Sequence, residues 1–257
     1  MAKLTVLGSC SGTEPMPGRH HTSLLLETGG LLYFFDAGEN CAYASHLMGV
    51  DLLKTRAIFI SHPHIDHVGG LGNLLWTIRK LAGRRNETTA CGRVDVYIPE
   101  LRVWEGLMLM MPFMAGGGAQ PFELKAQRPE DGTFYEDENI RVTAQHNGHL
   151  KDNDRGEHQS YSYRIEVEGK VIVFSGDVRS CTEVEPLIGE GCDYLLMETG
   201  HHKVKDICDF ADSKPVGQLI FVHHGRDILY ERPEVNEALA TCGRSPVISW
   251  DGMSISW

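Results

Sequence analysis

Residues 57–81 tie a strand, a crowded polar loop and a helix together within 25 positions. The apolar run Ala57-Ile58-Phe59-Ile60 leads into SHPHIDHVGG (61–70). Beyond it Leu71, Leu74, Leu75, Ile78 and Leu81 recur at three- and four-residue steps. That period gives one apolar face and predicts an amphipathic helix from Leu71. The loop between carries three histidines and an aspartate within six positions. A chain built this way needs strands that end at a common edge and helices that pack outside the sheets.

Other segments repeat the pattern. Short apolar runs at 4–7, 23–27, 32–35, 58–60, 94–98, 140–144, 160–167, 171–175, 194–197, 219–222 and 247–250 read as strands. Many end in Gly, Asp or His, where a chain turns out of a sheet. A second helix is expected over 204–211. Strands in groups separated by helices imply an α+β or mixed layered fold. With 257 residues, 42% of them hydrophobic, the expectation is a single domain over 1–257.

Composition narrows the function. A formal charge of −11 argues against a surface built to grip phosphate backbones, which draws on clustered Lys and Arg. Seven cysteines, odd in number and without a CxxC pair, are expected to stay reduced, which points to the cytoplasm. No apolar run approaches the ~18 residues of a membrane span, so no membrane partner is expected. The loop MAGGGAQP (114–121), after Met108, Met110 and Met111, reads as a surface loop or as a lid over a substrate.

Imidazoles and carboxylates are the ligands that hold zinc and similar divalent ions. His62 and His64 lie two apart just past a strand and can project the same way, with Pro63 stiffening the peptide between them. Asp66 and His67, at the entry to the Leu71 helix, can point at a second position. One loop can thus serve two metals, whereas an isolated pair such as His20-His21 carries almost no information.

His62, His64, Asp66 and His67 match the HxHxDH motif of the metallo-β-lactamase fold superfamily, and the chain resembles it through nearly its whole length. KLTVLGSCSG, HTSLLLE, FFDAGEN, IFISHPHIDHVGGL and FSGD are most similar to the ribonuclease Z and related phosphodiesterase branch. The resemblance implies an αββα sandwich of two mixed sheets with outer helices, and a metal site at one edge. It places further ligands at His149, with His146 as the competitor, at Asp177 as a carboxylate shared between two ions, and at His223. The implied set is His62, His64 and His149 on one ion, Asp66, His67 and His223 on the other, and Asp177 on both. His158, in a polar stretch, is expected to face solvent. The cofactors are two divalent ions; zinc suits the donors best, and manganese, iron or nickel would fit.

Such a site implies a hydrolase in which a metal-bridging hydroxide attacks the substrate, with Asp66 orienting or deprotonating that water. In the ribonuclease Z branch a histidine about twenty residues before the last ligand gives the leaving group its proton. His201 falls there, paired with Glu198, and His202 is the fallback. Arg19 is expected to meet a substrate phosphate, and His224 to line the pocket or pack. Ribonuclease Z usually has His-Glu-Ala-Thr where this chain reads Met197-Glu198-Thr199-Gly200, and no basic Gly- and Pro-rich arm is present. These departures favour a small or cyclic phosphodiester over RNA as substrate. The alternatives are transfer-RNA 3′ trailer cleavage of the ribonuclease Z kind and a metal-holding sensor with little turnover. The chain leaves open whether the protein is a homodimer, as its relatives often are.

Overall fold

The computed structural model describes residues 1–114 and 121–257. The chain forms two compact units, one of Met1–Gly8, His20–Arg128 and Asp251–Trp257, the other of Ser9–Arg19 and Pro129–Trp250. In the first, strands β1 (Lys3–Gly8), β2 (Ser23–Thr28), β3 (Leu31–Phe35), β4 (Thr55–Phe59), β5 (Arg93–Tyr97) and β6 (Glu123–Gln127) alternate with helices α1 (Cys41–Leu47), α2 (Ile65–Val68), α3 (Leu71–Arg85) and α4 (Leu101–Met114). The second holds β7 (Gly132–Glu136), β8 (Ile140–His146), β9 (Tyr161–Val167), β10 (Lys170–Phe174), β11 (Cys192–Glu198), β12 (Val216–Val222) and β13 (Val247–Ile248). Its helices are α5 (Glu185–Ile188), α6 (Val204–Asp212), α7 (Arg226–Leu229) and α8 (Pro233–Thr241). A last strand, β14 (Ser254–Ser256), returns to the first unit.

Each unit has one mixed seven-stranded sheet, β14-β1-β2-β3-β4-β5-β6 in the first and β13-β12-β11-β10-β9-β8-β7 in the second. Connection length explains the mixture. Two-residue turns at 29–30 and 168–169 make β2–β3 and β9–β10 antiparallel, while helical crossovers make β3 to β6 and β10 to β13 parallel. Parallel neighbours finish at the same edge, and their carboxyl ends carry the chemistry.

The α3 face read from the sequence is the one that packs: Leu71, Leu74, Leu75 and Ile78 are at most 1% exposed, against Phe34, Ile58, Val94 and Val96 of the sheet. Each such side chain contributes roughly 1.5–3 kcal/mol by leaving water. In the second unit Val173, Leu195, Leu219 and Phe221 pack under α6 and α8 in the same way. Three strands that the sequence did not announce, β6, β7 and β14, are all sheet edges. Residues 115–120 of the loop expected as a surface loop or lid lie outside the described residues. The seven cysteines are free thiols, and no helix among the described residues is long and apolar enough to cross a membrane.

Residues 9–19 are pinned to the second sheet through His224. Its backbone N–H donates to Ser9 O (2.7 Å), and Ser11 donates from N and Oγ to His224 O (3.1 and 2.8 Å). The ring Nε2–H donates to Ser249 O at 2.9 Å, and Arg19 Nη1 donates to the same carbonyl and to Ser9 Oγ. Of the two roles expected for His224 the structure gives packing, since the residue has no solvent exposure. The Arg19 guanidinium, expected to reach a substrate phosphate, instead places Nη1 on this internal brace.

Burial, reinforced by the positive charges of Arg19 and His223, pushes the His224 pKa down from 6.5 to about 3. The native ring stays neutral while the unfolded chain takes up a proton below 6.5, so stability falls with pH between 6.5 and about 3. This group alone is expected to remove about 2 kcal/mol between pH 7 and pH 5, at ~1.4 kcal/mol per pH unit. Urea titrations at the two pH values check it. His224→Gln, whose amide does not titrate, should lose that much less on acidification.

Candidate functional site

In the first unit β3 and β4 are parallel neighbours, so the residues just past them, Asp36 and the 61–67 loop, emerge side by side. Asp36 is completely buried. Its Oδ1 accepts from Ser61 N (2.6 Å), and its Oδ2 accepts from Ser61 Oγ (2.8 Å) and from His67 Nδ1 (2.6 Å). A carboxylate only accepts, so Nδ1 of His67 carries the hydrogen and, in the neutral ring, Nε2 carries the lone pair. The Asp66 carboxylate lies 3.4 Å from that Nε2. His62 Nε2 and His64 Nδ1 approach to 3.0 Å, and the rings of His62 and His67 stand 4.0 Å apart. Four of the expected ligands thus form one cluster, with His62 and His67 fully buried and His64 exposed.

Gly70 lets this loop close. A Cβ there would meet Gly38 O at 2.1 Å, where the 36–38 segment exchanges backbone hydrogen bonds with the loop, Ala37 N to His67 O and Gly70 N to Ala37 O.

In the second unit β10, β11 and β12 are adjacent and parallel, and their ends deliver Asp177, Glu198 and His223 in a row. His149 arrives from the loop after β8, its N–H held by Asn147 Oδ1 at 3.1 Å. Asp177 Oδ2 is 3.7 Å from His149 Nε2 and from His201 Nδ1, and Oδ1 is 3.4 Å from His223 Nδ1. Such separations suit ligands on a shared ion better than direct hydrogen bonds. Glu198, with no exposure, accepts from both N (2.9 Å) and Nδ1 (3.0 Å) of His201.

Burial opposes the Glu198 charge, but the hydrogen bond from His201 and the His223 ring 3.8 Å away outweigh it and hold the carboxyl down at about 2. The same bond from Glu198, against partial burial, raises His201 above the usual imidazole range. His201 keeps 44% of its side chain open to solvent, whereas His202 is turned inward to Val178 O at 3.0 Å. Gly200 is a close approach: a Cβ would sit 2.7 Å from His223 Nδ1, so the threonine of the ribonuclease Z pattern has no room here.

Two sequence candidates stand elsewhere. His146 bonds Asp131 and stacks on His158, with rings 3.8 Å apart and 5° from parallel; His158 keeps 40% of its side chain exposed. Asp36 went unassigned in the sequence. Its signal was the one that marked Asp177, an acid just past a buried apolar strand, here in FFDAGEN.

Both clusters suit a divalent ion. Their donors are imidazole nitrogens and carboxylate oxygens with no thiolate among them. Asp177 and Glu198, 2% and 0% exposed and mutually repulsive, also gain from a neighbouring cation.

The two mixed sheets with flanking helices are those of the metallo-β-lactamase fold, and with the HxHxDH cluster the chain is similar to the ribonuclease Z and phosphodiesterase branch. A family model described as "Anti-Pycsar protein Apyc1" matches residues 2–206, and the chain belongs to that family. The ribonuclease Z of Methanothermobacter thermautotrophicus is 25% identical over 291 aligned positions, covering 91% of this chain and 90% of that protein. The ribonuclease Z of Treponema pallidum is 44% identical over 77 residues, 30% of this chain and only 24% of the relative, so that match spans about a quarter of its length. Among solved structures, the Bacillus subtilis metallo-β-lactamase fold protein YhfI superposes with a TM-score of 0.72 at 18% identity, covering 99% of this chain and 98% of that one.

The Asp36 geometry generates a test. Asp36→Asn keeps the shape but removes the charge that fixes the His67 ring, and a partner of this kind is typically worth 10–100-fold in metal affinity. A competition titration with a chromophoric chelator should show a loss in that range, with the circular dichroism spectrum retained.

Proposed function

We propose that the protein is a dinuclear metal-dependent phosphodiesterase in which the two units work as one domain. His62, His64 and His149 hold one ion, Asp66, His67 and His223 the other, and Asp177 is shared. The substrate is a small or cyclic phosphodiester. The observation that carries the reading is the donor set, five imidazoles and two carboxylates, presented in two thiolate-free clusters.

Held there, two cations supply an activated water and positive charge for the phosphoryl oxygens. The side chains supply the rest. Asp66 has a second carboxylate oxygen with which to orient the attacking water. His201 is open to solvent and braced by Glu198, so it can keep a proton near neutral pH and hand it to the leaving oxygen. Glu198 positions His201 through two hydrogen bonds, one from the backbone N and one from the ring Nδ1, and favours the protonated ring.

A second reading, ribonuclease Z-type cleavage of precursor transfer RNA, is favoured by the relative that aligns over 91% of the chain. The net charge of −11 and the missing basic arm weigh against it. A gel assay with precursor transfer RNA, run where bis(p-nitrophenyl) phosphate is hydrolysed, separates the two; efficient trailer removal would make RNA the substrate. If a chelator leaves diester turnover intact, or metal-loaded protein hydrolyses neither substrate, the phosphodiesterase reading is lost.

The proton donor predicts a split between leaving groups. His201→Ala should cost about 10²–10⁴-fold in kcat on a diester with an alkoxide leaving group. It should cost little on bis(p-nitrophenyl) phosphate, whose leaving group needs no proton. Because the Glu198 charge raises the His201 pKa, Glu198→Gln should move the alkaline limb of the pH–rate profile to lower pH. An unmoved limb would show that another group donates.

A further inference from the structure

The loop that carries His149 and the turn that carries Asp177 come from different strand ends, and one side chain joins them. We infer that Glu183 is a positioning residue for the metal centre: its carboxylate bridges the two segments and holds His149 and Asp177 at the separation that a single ion needs. The inference rests on the ligand assignment proposed above.

Glu183 lies in a short helical turn, Cys181–Val184, that follows β10. Its Oε1 accepts at 2.7 Å from the backbone N of Gly148, the residue before His149. Its Oε2 accepts from Arg179 N at 2.8 Å and from Ser180 N at 3.3 Å, just after Asp177. Hydrogen bonds from amides to a carboxylate are about twice as strong as neutral ones. The Oε2 side is local: Ser180 and Glu183 form a capping box, with Ser180 Oγ accepting from Thr182 N in return. A cap uses one oxygen of Glu183. The other reaches back 35 positions to the His149 loop.

The backbone amides from Asn147 to Leu150 are all engaged. Asn147 N donates to Ser160 O, Gly148 N to Glu183, His149 N to Asn147 Oδ1 and Leu150 N to Ser160 Oγ. Of these four bonds only that of Gly148 reaches the turn after Asp177. Gly148 makes the approach possible, because a Cβ there would stand 2.8 Å from Glu183 Oε1. The consequence falls on the donors. Zinc ligands at ~2.0–2.2 Å in a tetrahedron lie roughly 3.3–3.6 Å apart, and His149 Nε2 stands 3.7 Å from Asp177 Oδ2. Without the bridge the two segments move independently, and part of the binding free energy goes into drawing the donors together.

The test is a competition titration of zinc against a chromophoric chelator, with urea denaturation of the metal-free protein alongside. Glu183→Gln has one oxygen and one NH2, so it can accept on one side of the bridge only. The side with two amides keeps that oxygen, so the cap survives and the urea midpoint should stay close to wild type. Its zinc affinity should fall about tenfold, the low end of the range for residues that orient ligands. Ser180→Ala does the reverse: it loses the other half of the cap, so the midpoint drops while zinc affinity stays within about twofold. Gly148→Ala guards against a misfolded Glu183 variant, since its Cβ displaces Oε1 and leaves Glu183 in place. It should bind zinc as weakly as Glu183→Gln. Wild-type affinity in both bridge variants, or affinity that tracks the urea midpoint across the set, overturns the positioning role. Wild type that takes up no zinc overturns the ligand assignment and this role with it. Weaker binding in both variants, beside a wild type that hydrolyses no diester, upholds the role and removes only the phosphodiesterase reading.

Discussion

Asp36 sits at φ +60°, in the left-handed region that costs a non-glycine residue of order 1 kcal/mol or more, and none of it reaches solvent. The conformation is over-determined. Its N–H donates to Phe59 O and its carbonyl accepts from Ser23 Oγ, while its carboxylate takes the Ser61 amide, the Ser61 hydroxyl and the His67 ring. A strand end held so rigidly fixes the tautomer of His67 within a ten-residue loop that presents four candidate donors. Without that acceptor, the His67 ring could turn or carry its hydrogen on the other nitrogen.

The second cluster solves a different problem. Two acids at the ends of neighbouring parallel strands repel each other in a place water does not reach. Around them stand the rings of His149, His201 and His223, at spacings that admit a cation between ligands yet let His201 bond Glu198 directly. One carboxylate thus stands among three rings without bonding them closely, and the other bonds His201 and raises its pKa. The division follows from reach. Asp177 stands three residues beyond β10, whereas Glu198 is the last residue of β11 and accepts from Val178 N.

Much of this was legible because central strands are buried on both faces and read as unbroken apolar runs. The HxHxDH loop, Asp177, His201 and the α3 face all follow such runs or carry a clear period. Edge strands do not: Glu123–Gln127 is ELKAQ, and nothing in it is buried strongly enough to leave a pattern. Side-chain use was the other blind spot. Arg19 and His224 have the chemistry of substrate-binding groups, yet both donate to the Ser249 carbonyl, 230 positions from Arg19 in the chain. No local pattern records such a contact.

His146 and His149 show how small a displacement separates two uses of the same side chain. Both lie where β8 gives way to a loop, and spacing alone left them as rivals. Tyr161 pairs with His146 as the last rung of the β8–β9 ladder, so His146 is still part of the sheet and its ring meets Asp131 from the neighbouring strand end. Three residues later the chain has left the ladder, Asn147 has turned it by capping the His149 amide, and that ring reaches Asp177 from β10. Each histidine acquires its chemistry from the carboxylate that the backbone lets it face. Deciding between them needed the position at which a strand stops, which sequence patterns fix least well.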